Sequence, residues 1–134
     1  LKIGYRSVSF ADRPIEEAIG AIAAAGYDSI ELCLENADLH PLQLTVERVR
    51  EIMARVHDSG LELAAISYHG VQDQLEDRRR RTNAAIELLG EFGAEVLVVA
   101  SRREEPARLH AQWDEAVQLY RELADRCAPF HCRV

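Results

Sequence analysis

The sequence is short of the features that mark several protein classes. It holds three cysteines in 134 residues, Cys33, Cys127 and Cys132. An odd, sparse set argues against a disulfide scaffold and fits a reducing, cytoplasmic setting. The segment CAPFHC brings two of them near His131, but not at the spacing of a zinc knuckle. No apolar run approaches the roughly 20 residues that span a bilayer, so a membrane is not an expected partner. The chain starts at Leu1 without a charged-then-apolar leader, so no secretory signal is expected. Basic residues are outnumbered: 16 Lys and Arg stand against 23 Asp and Glu, a net charge of −7. Such a chain repels phosphate backbones, and nucleic acid is not an expected partner. G-x-G-x-x-G and G-x-x-x-x-G-K-S/T are both missing, so neither a dinucleotide nor a nucleoside triphosphate site is indicated.

What the chain does have is a core and a repeat. Its 48% hydrophobic residues suit a globular protein, and its length suits one domain over 1–134. Three segments end alike: AIAAAGYDSIEL, RVHDSGLELAAI and LGEFGAEVLVV. Each is an amphipathic tail, a glycine and a strand-like run. Gly26, Gly60 and Gly93 lie 34 and 33 residues apart, the length of one helix-plus-strand unit. Glycine suits the residue after a helix because the chain turns there through positive φ. Apolar stripes at i, i+3, i+4, i+7 run through Ile15–Ile22, Val49–Val56, Ala85–Phe92 and Leu109–Tyr120. Pro14, Glu16 and Glu17 suit a first helical turn, and Thr45 suits a cap. The strands read KIGYRSVSF, SIELCLE, LELAAISYH and EVLVVAS. The order βαβαβαβα predicts an α/β fold with a parallel sheet and right-handed crossovers.

Alternation along the strands assigns the faces. Ile30 and Leu32 are expected to face the helices, which turns Glu31, Cys33 and Glu35 the other way. Ala65, Ser67 and His69 share a face in the third strand, so Glu35 and His69 are expected on one C-terminal rim, where parallel α/β folds bind ligands. Carboxylates and imidazoles converging there suit metal binding or proton transfer. Each has a plainer reading: His69 as a hydrogen-bonded strand end, Glu31 as partner of a nearby cation. His40 falls in a polar loop, and His57 and His110 on helix surfaces. The run Arg78–Arg81 offers a phosphate contact, but Asp73, Glu76 and Asp77 offset it and consecutive residues splay around a helix. Arg102 and Arg103 are better placed for an anion, with Glu104 and Glu105 beside them.

Taken together, KIGYRSVSF, AIAAAGYDSIEL, ISYHG, LLGEFGAEVLVVAS and WDEAVQLYRELADRCAPF resemble the N-terminal half of a xylose isomerase-like (β/α)8 barrel, the family of sugar-phosphate isomerases and epimerases. The resemblance covers essentially the whole chain. It implies a half barrel cut at the start of strand 5, because a full barrel needs about 250 residues. It implies metal-assisted isomerisation or epimerisation of a small sugar or polyol through an enediolate, with Mn, Mg, Co or Zn as the ion. It implies that Glu31, Glu35 and His69 border the substrate and that His69 is the metal ligand of this half. The family's metal carboxylates and acid–base pair come from strands 5 to 8, so the chain alone is expected to be inactive. His131 stands where the glycine before strand 5 would be. The alternatives are a non-catalytic half-barrel binding or assembly module, forming homo-oligomers through open sheet edges, and an open flavodoxin-like domain. The last would need a phosphate loop after strand 1, which FADRPIEE does not resemble. Half a barrel is also expected to leave an apolar inner face uncovered, with Tyr5 or its neighbours, Cys33, Ala65 and Val98 or Val99 on it.

Overall fold

A computed structural model describes residues 1–100 and 109–134. Strands β1 (Gly4–Arg6), β2 (Ser29–Cys33), β3 (Glu62–Tyr68) and β4 (Leu97–Val99) form one sheet in the order β1-β2-β3-β4, every neighbour parallel. Helices α1 (Ile15–Ala24), α2 (Val46–Asp58), α3 (Leu75–Glu87), the single turn α4 (Leu89–Phe92) and α5 (Leu109–Cys127) alternate with them. Sequential order with helical crossovers is the plan of half a (β/α)8 barrel.

The apolar stripes explain the helix layer. Ile15, Ala18, Ile19 and Ile22 of α1 and Val49, Ile52, Met53 and Val56 of α2 are buried, and they join Ile30, Leu32 and Ile66 of the sheet in one core. Truncating a core Ile such as Ile19, which is fully buried, to Ala costs about 2–5 kcal/mol through lost transfer energy and a cavity. At the start of α2 the Thr45 hydroxyl accepts from the Arg48 amide at 3.2 Å. The first amide of α1, that of Ile15, is held by the Asp38 carboxylate at 2.8 Å, a cap supplied from beyond β2. The stripe on α5 is only partly covered: Leu123 and Cys127 are buried, while Trp113 is 67% exposed.

The repeat has four members. Gly26, Gly60 and Gly93 carry φ of 84°, 75° and 63°, and His131 carries 56°. The chain after His131 begins a further parallel pairing: Arg133 bridges Val96, and Leu97 N donates to Arg133 O at 2.8 Å. His131 therefore does the work of the glycine before strand 5.

Several expectations are corrected. The first strand ends at Arg6, and Ser7–Phe10 is a 3-10 turn, because the Ser7 hydroxyl accepts the Cys33 amide and donates to Asn36 Oδ1. Tyr5 pairs with Ile30 and stacks on Tyr27 with ring centroids 5.1 Å apart, so it lies on the helix side; its neighbour Arg6 pairs with Glu31 on the inner side. Val98 pairs with Ser67 on the inner side, and Val99 with Tyr68 on the core side. The inner face is not the uncovered apolar surface expected, since Cys33 and Ser67 are fully buried and Ala65 is 7% exposed. Small side chains lie at the bottom of this face, and charged ones stand at its rim.

Candidate functional site

The rim is built from the ends of β1, β2 and β3. A register shift between Ile30 and Glu31 lets Ala64 bulge, after which Glu31 pairs with Ala65 and Cys33 with Ser67. The shift places Glu31, Cys33, Ala65 and Ser67 on one face, and Glu35 and His69 follow at its C-terminal edge.

Glu35 is the hub. Its Oε1 accepts the backbone amides of His69 (2.5 Å) and Gly70 (2.8 Å), and its Oε2 accepts the Cys33 thiol at 2.8 Å. The imidazole Nδ1 of His69 lies 3.4 Å from the same Oε2. Burial pushes the Glu35 carboxyl up, but these donors together pull it further down, and it rests below the ordinary carboxylate value. Burial first, and then donation to Glu35, push the Cys33 thiol up to about 11.

Arg6 completes the rim. Its Nε donates to Glu31 Oε1 at 2.8 Å, and its Nη2 lies 3.2 Å from His69 Nε2. A guanidinium only donates, so Nε2 accepts and the proton sits on Nδ1 facing Glu35. The β3–α3 loop is braced from the far side. The Tyr68 hydroxyl donates to Asp73, Arg81 pairs with Asp73, and Arg78 donates to the carbonyls of His69 and Ala100. Burial and then donation to Asp73 raise the Tyr68 phenol to about 12. Over the rim lies an open cavity of about 480 Å³, lined among others by Arg6, Glu35, His40, His69 and Asp73.

Of the residues singled out in the sequence, Glu35 and His69 meet at this cavity. Glu31 sits on the same face but does not line the cavity, reaching it through Arg6. His40 lines the outer wall, and burial and then the charge of Arg81 hold its imidazole below the usual value. His57 is exposed on α2. The arginine run divides: Arg78 and Arg81 brace the loop, while Arg79 and Arg80 are exposed. Arg102, Arg103, Glu104 and Glu105 lie outside the described residues. Nothing local in the sequence marks Arg6 as a site residue; its pairing with Glu31 is visible only once β1 is in register with β2.

Three donors of the rim stand close enough together to suggest a divalent ion. Cys33 Sγ, a Glu35 oxygen and a His69 nitrogen lie within 4.8 Å of one another. Yet both Glu35 oxygens already accept, and the Cys33 thiol is itself one of their donors. The Arg6 guanidinium sets a fixed positive charge against His69 Nε2. Arranged this way, the three residues do not fit a divalent ion.

A family model for the xylose isomerase-like TIM barrel matches residues 19–134. The chain belongs to the xylose isomerase-like TIM-barrel family. No curated protein matches it in sequence. Solved structures share the family barrel. The probable 3-DHS dehydratase AsbF of Bacillus anthracis superposes with a TM-score of 0.73 at 17% identity, over 98% of this chain and 50% of its own. D-psicose 3-epimerase of Clostridium cellulolyticum H10 gives 0.68 at 16%, over 98% and 50%, and D-allulose 3-epimerase of a Methylomonas species 0.60 at 20%, over 98% and 49%. The chain thus spans about half the length of these proteins. At such identities the likeness establishes the half-barrel fold. Among the described residues no helix is long and apolar enough to cross a membrane.

Proposed function

We propose that this chain is the substrate-binding half of a sugar isomerase or epimerase that works through an enediolate. The observation that carries the reading is the convergence of Arg6, Glu35 and His69 on one cavity at the strand ends of a family barrel. That is where such barrels bind substrate. Solved proteins of the same fold that are sugar epimerases support the substrate class. His69 and Glu35 hold the floor of the site, and Glu31 acts on it by anchoring Arg6. The proton-moving carboxylates and any divalent ion, which would polarise a carbonyl or hydroxyl oxygen, belong to residues of the opposite half. The three free cysteines support a reducing, cytoplasmic location.

A second reading makes His69 a metal ligand of this half, favoured by the proximity of Cys33, Glu35 and His69. It requires Arg6 to leave Nε2. Titration of wild type and Arg6→Ala with Co(II), read by visible absorption, separates the two: binding only in the variant favours Arg6 as the block, and tight binding in wild type favours the ligand role.

The main reading is tested by NMR titration with neutral ketohexoses, in which His69 and Gly70 amide signals are expected to move. In the same preparations, ketose turnover with Mn, Mg or Co is expected to equal a protein-free control. Turnover abolished by His69→Ala would overturn the assignment of the chemistry to the opposite half.

A further inference from the structure

At the rim Arg6 stands between Glu31 and His69, facing the cavity. It is fixed at two points, by Glu31 Oε1 through Nε and by His69 Nε2 through Nη2. Of the five N–H donors of a guanidinium, those on Nη1 have no partner among the described residues. The side chain is 47% exposed and lines the cavity, while the Glu31 carboxylate that anchors it is 19% exposed. A donor already held in one rotamer loses little freedom when a ligand arrives.

Charge decides which ligand. Two carboxylates act on the Arg6 guanidinium, Glu31, which holds it, and Glu35; the Arg78 cation lies behind the rim, on the carbonyls of His69 and Ala100. The Arg81 cation deeper in the wall is matched by Asp73. The charges balance in sum, and the guanidinium that faces the cavity is itself already paired with Glu31. A hydroxyl or carbonyl oxygen gains a charge-assisted hydrogen bond from Nη1 at no electrostatic cost. A phosphate gains the same bond but must approach two carboxylates. Exposed Val8 and Val71 beside the cavity offer apolar contact to the C–H face of a sugar ring or chain.

Resting on the reading of the cavity as a sugar site, we propose that Arg6 is a substrate-contact residue that donates from Nη1 to an oxygen of a neutral sugar, and that its rim selects neutral sugars over sugar phosphates. Lysine cannot replace it, because one ammonium on a flexible stem cannot serve Glu31, His69 and a ligand from a single plane.

The test is an NMR titration of the chain with D-fructose and with D-fructose 6-phosphate, for wild type, Arg6→Lys and Glu31→Gln. Circular dichroism confirms that each variant folds. Wild type is expected to bind fructose more tightly than its phosphate, with the gap narrowing in high salt. Arg6→Lys is expected to weaken fructose binding by about tenfold or more, the scale of one charge-assisted hydrogen bond. Glu31→Gln is expected to improve phosphate relative to fructose. Equal fructose affinity in wild type and Arg6→Lys, or a wild type that prefers the phosphate, overturns the inference while the sugar-site reading stands. A wild type that binds neither compound overturns both.

Discussion

The carboxylate of Glu35 accepts the backbone amide of His69, 34 residues further along the chain, at 2.5 Å. With the Gly70 amide on the same oxygen, Glu35 closes the end of β3 as a cap closes a helix. The side chain that alternation suggests as a ligand is thus first a structural clamp, and it fixes His69 in its direction.

Removing the clamp has a signed pH consequence. The Glu35 carboxyl lies below its ordinary value of 4.5 in the folded chain. Its contribution is therefore present above the unfolded value and lost as pH falls through the folded one. Glu35→Ala leaves two amides and a thiol without their acceptor and is expected to cost about 2 kcal/mol at neutral pH. Urea unfolding of wild type and variant at a series of pH values checks this. The gap should be constant near neutrality and shrink as pH drops below about 4; a gap that widens in acid would refute the clamp.

Gly70 is needed beside it. Its φ is 55°, and a Cβ there would stand 2.9 Å from Arg78 Cγ and 3.1 Å from Asp73 Oδ2. Left-handed backbone alone costs a residue with a side chain about 1–2 kcal/mol. Gly70→Ala is expected to lower stability by at least that much and to perturb the His69 ring signals, because Arg78 also holds the His69 carbonyl. Gly20→Ala is the control: nothing lies within 4 Å of its Cβ and it sits inside α1, so replacement is expected to stabilise.

The repeat was legible because its signal is local. Glycine after an amphipathic stripe announces a positive φ whatever the rest of the fold does, and Gly26, Gly60 and Gly93 all adopt one. The helix-facing residues Ile30 and Leu32 were legible for the same reason, being set by alternation within one strand. What could not be read depends on register between segments distant in sequence. The Ala64 bulge changes the side taken by the residues before it in β3, so Leu63 pairs with Ile30 and packs on the core although strict alternation puts it with Ala65. The Asp38 cap on α1, the Ser7–Asn36 pair that ends β1 and the Arg6–Glu31 bond all join residues more than 20 apart. Nothing in the sequence next to Arg6 tells an edge guard from a site residue.

His131 offers a test of the repeat itself. It is the non-glycine residue of positive φ among the described residues, at 56°, in the position that glycine fills three times before. His131→Gly relieves the clash of Cβ with its carbonyl, at some gain in unfolded-state freedom. A net stabilisation of up to about 1 kcal/mol is expected, read as a higher Tm. His131→Val, β-branched, should lower Tm by more than the glycine raises it. A destabilised glycine variant would mean that the imidazole makes contacts that outweigh the backbone.

The last prediction concerns assembly. Edge strands invite pairing, and native proteins blunt them with charge. The two cations at this edge are both engaged: Arg6 turns onto Glu31, and Lys2 is paired with Glu62 at the start of β3, two strands away. That leaves Leu1, Ile3 at 55% exposure and Tyr5 at 38% along the edge of the sheet. At the opposite end β4 is partly covered by Arg133, and Phe130 and Val134 are 37% and 41% exposed. The buried inner face supplies no large apolar driving force, so self-association must rest on these edges. We therefore expect a homodimer of modest strength, dissociating in the micromolar range, rather than a permanent one with a large apolar interface. Sedimentation equilibrium over a concentration series measures it. Ile3→Lys, which places an unpaired charge on the edge, should shift the chain to monomer without loss of helix content. A wild type that stays monomeric at 100-fold dilution and at high concentration alike, with cooperative unfolding, would show that neither edge is a docking surface and would withdraw the assembly reading.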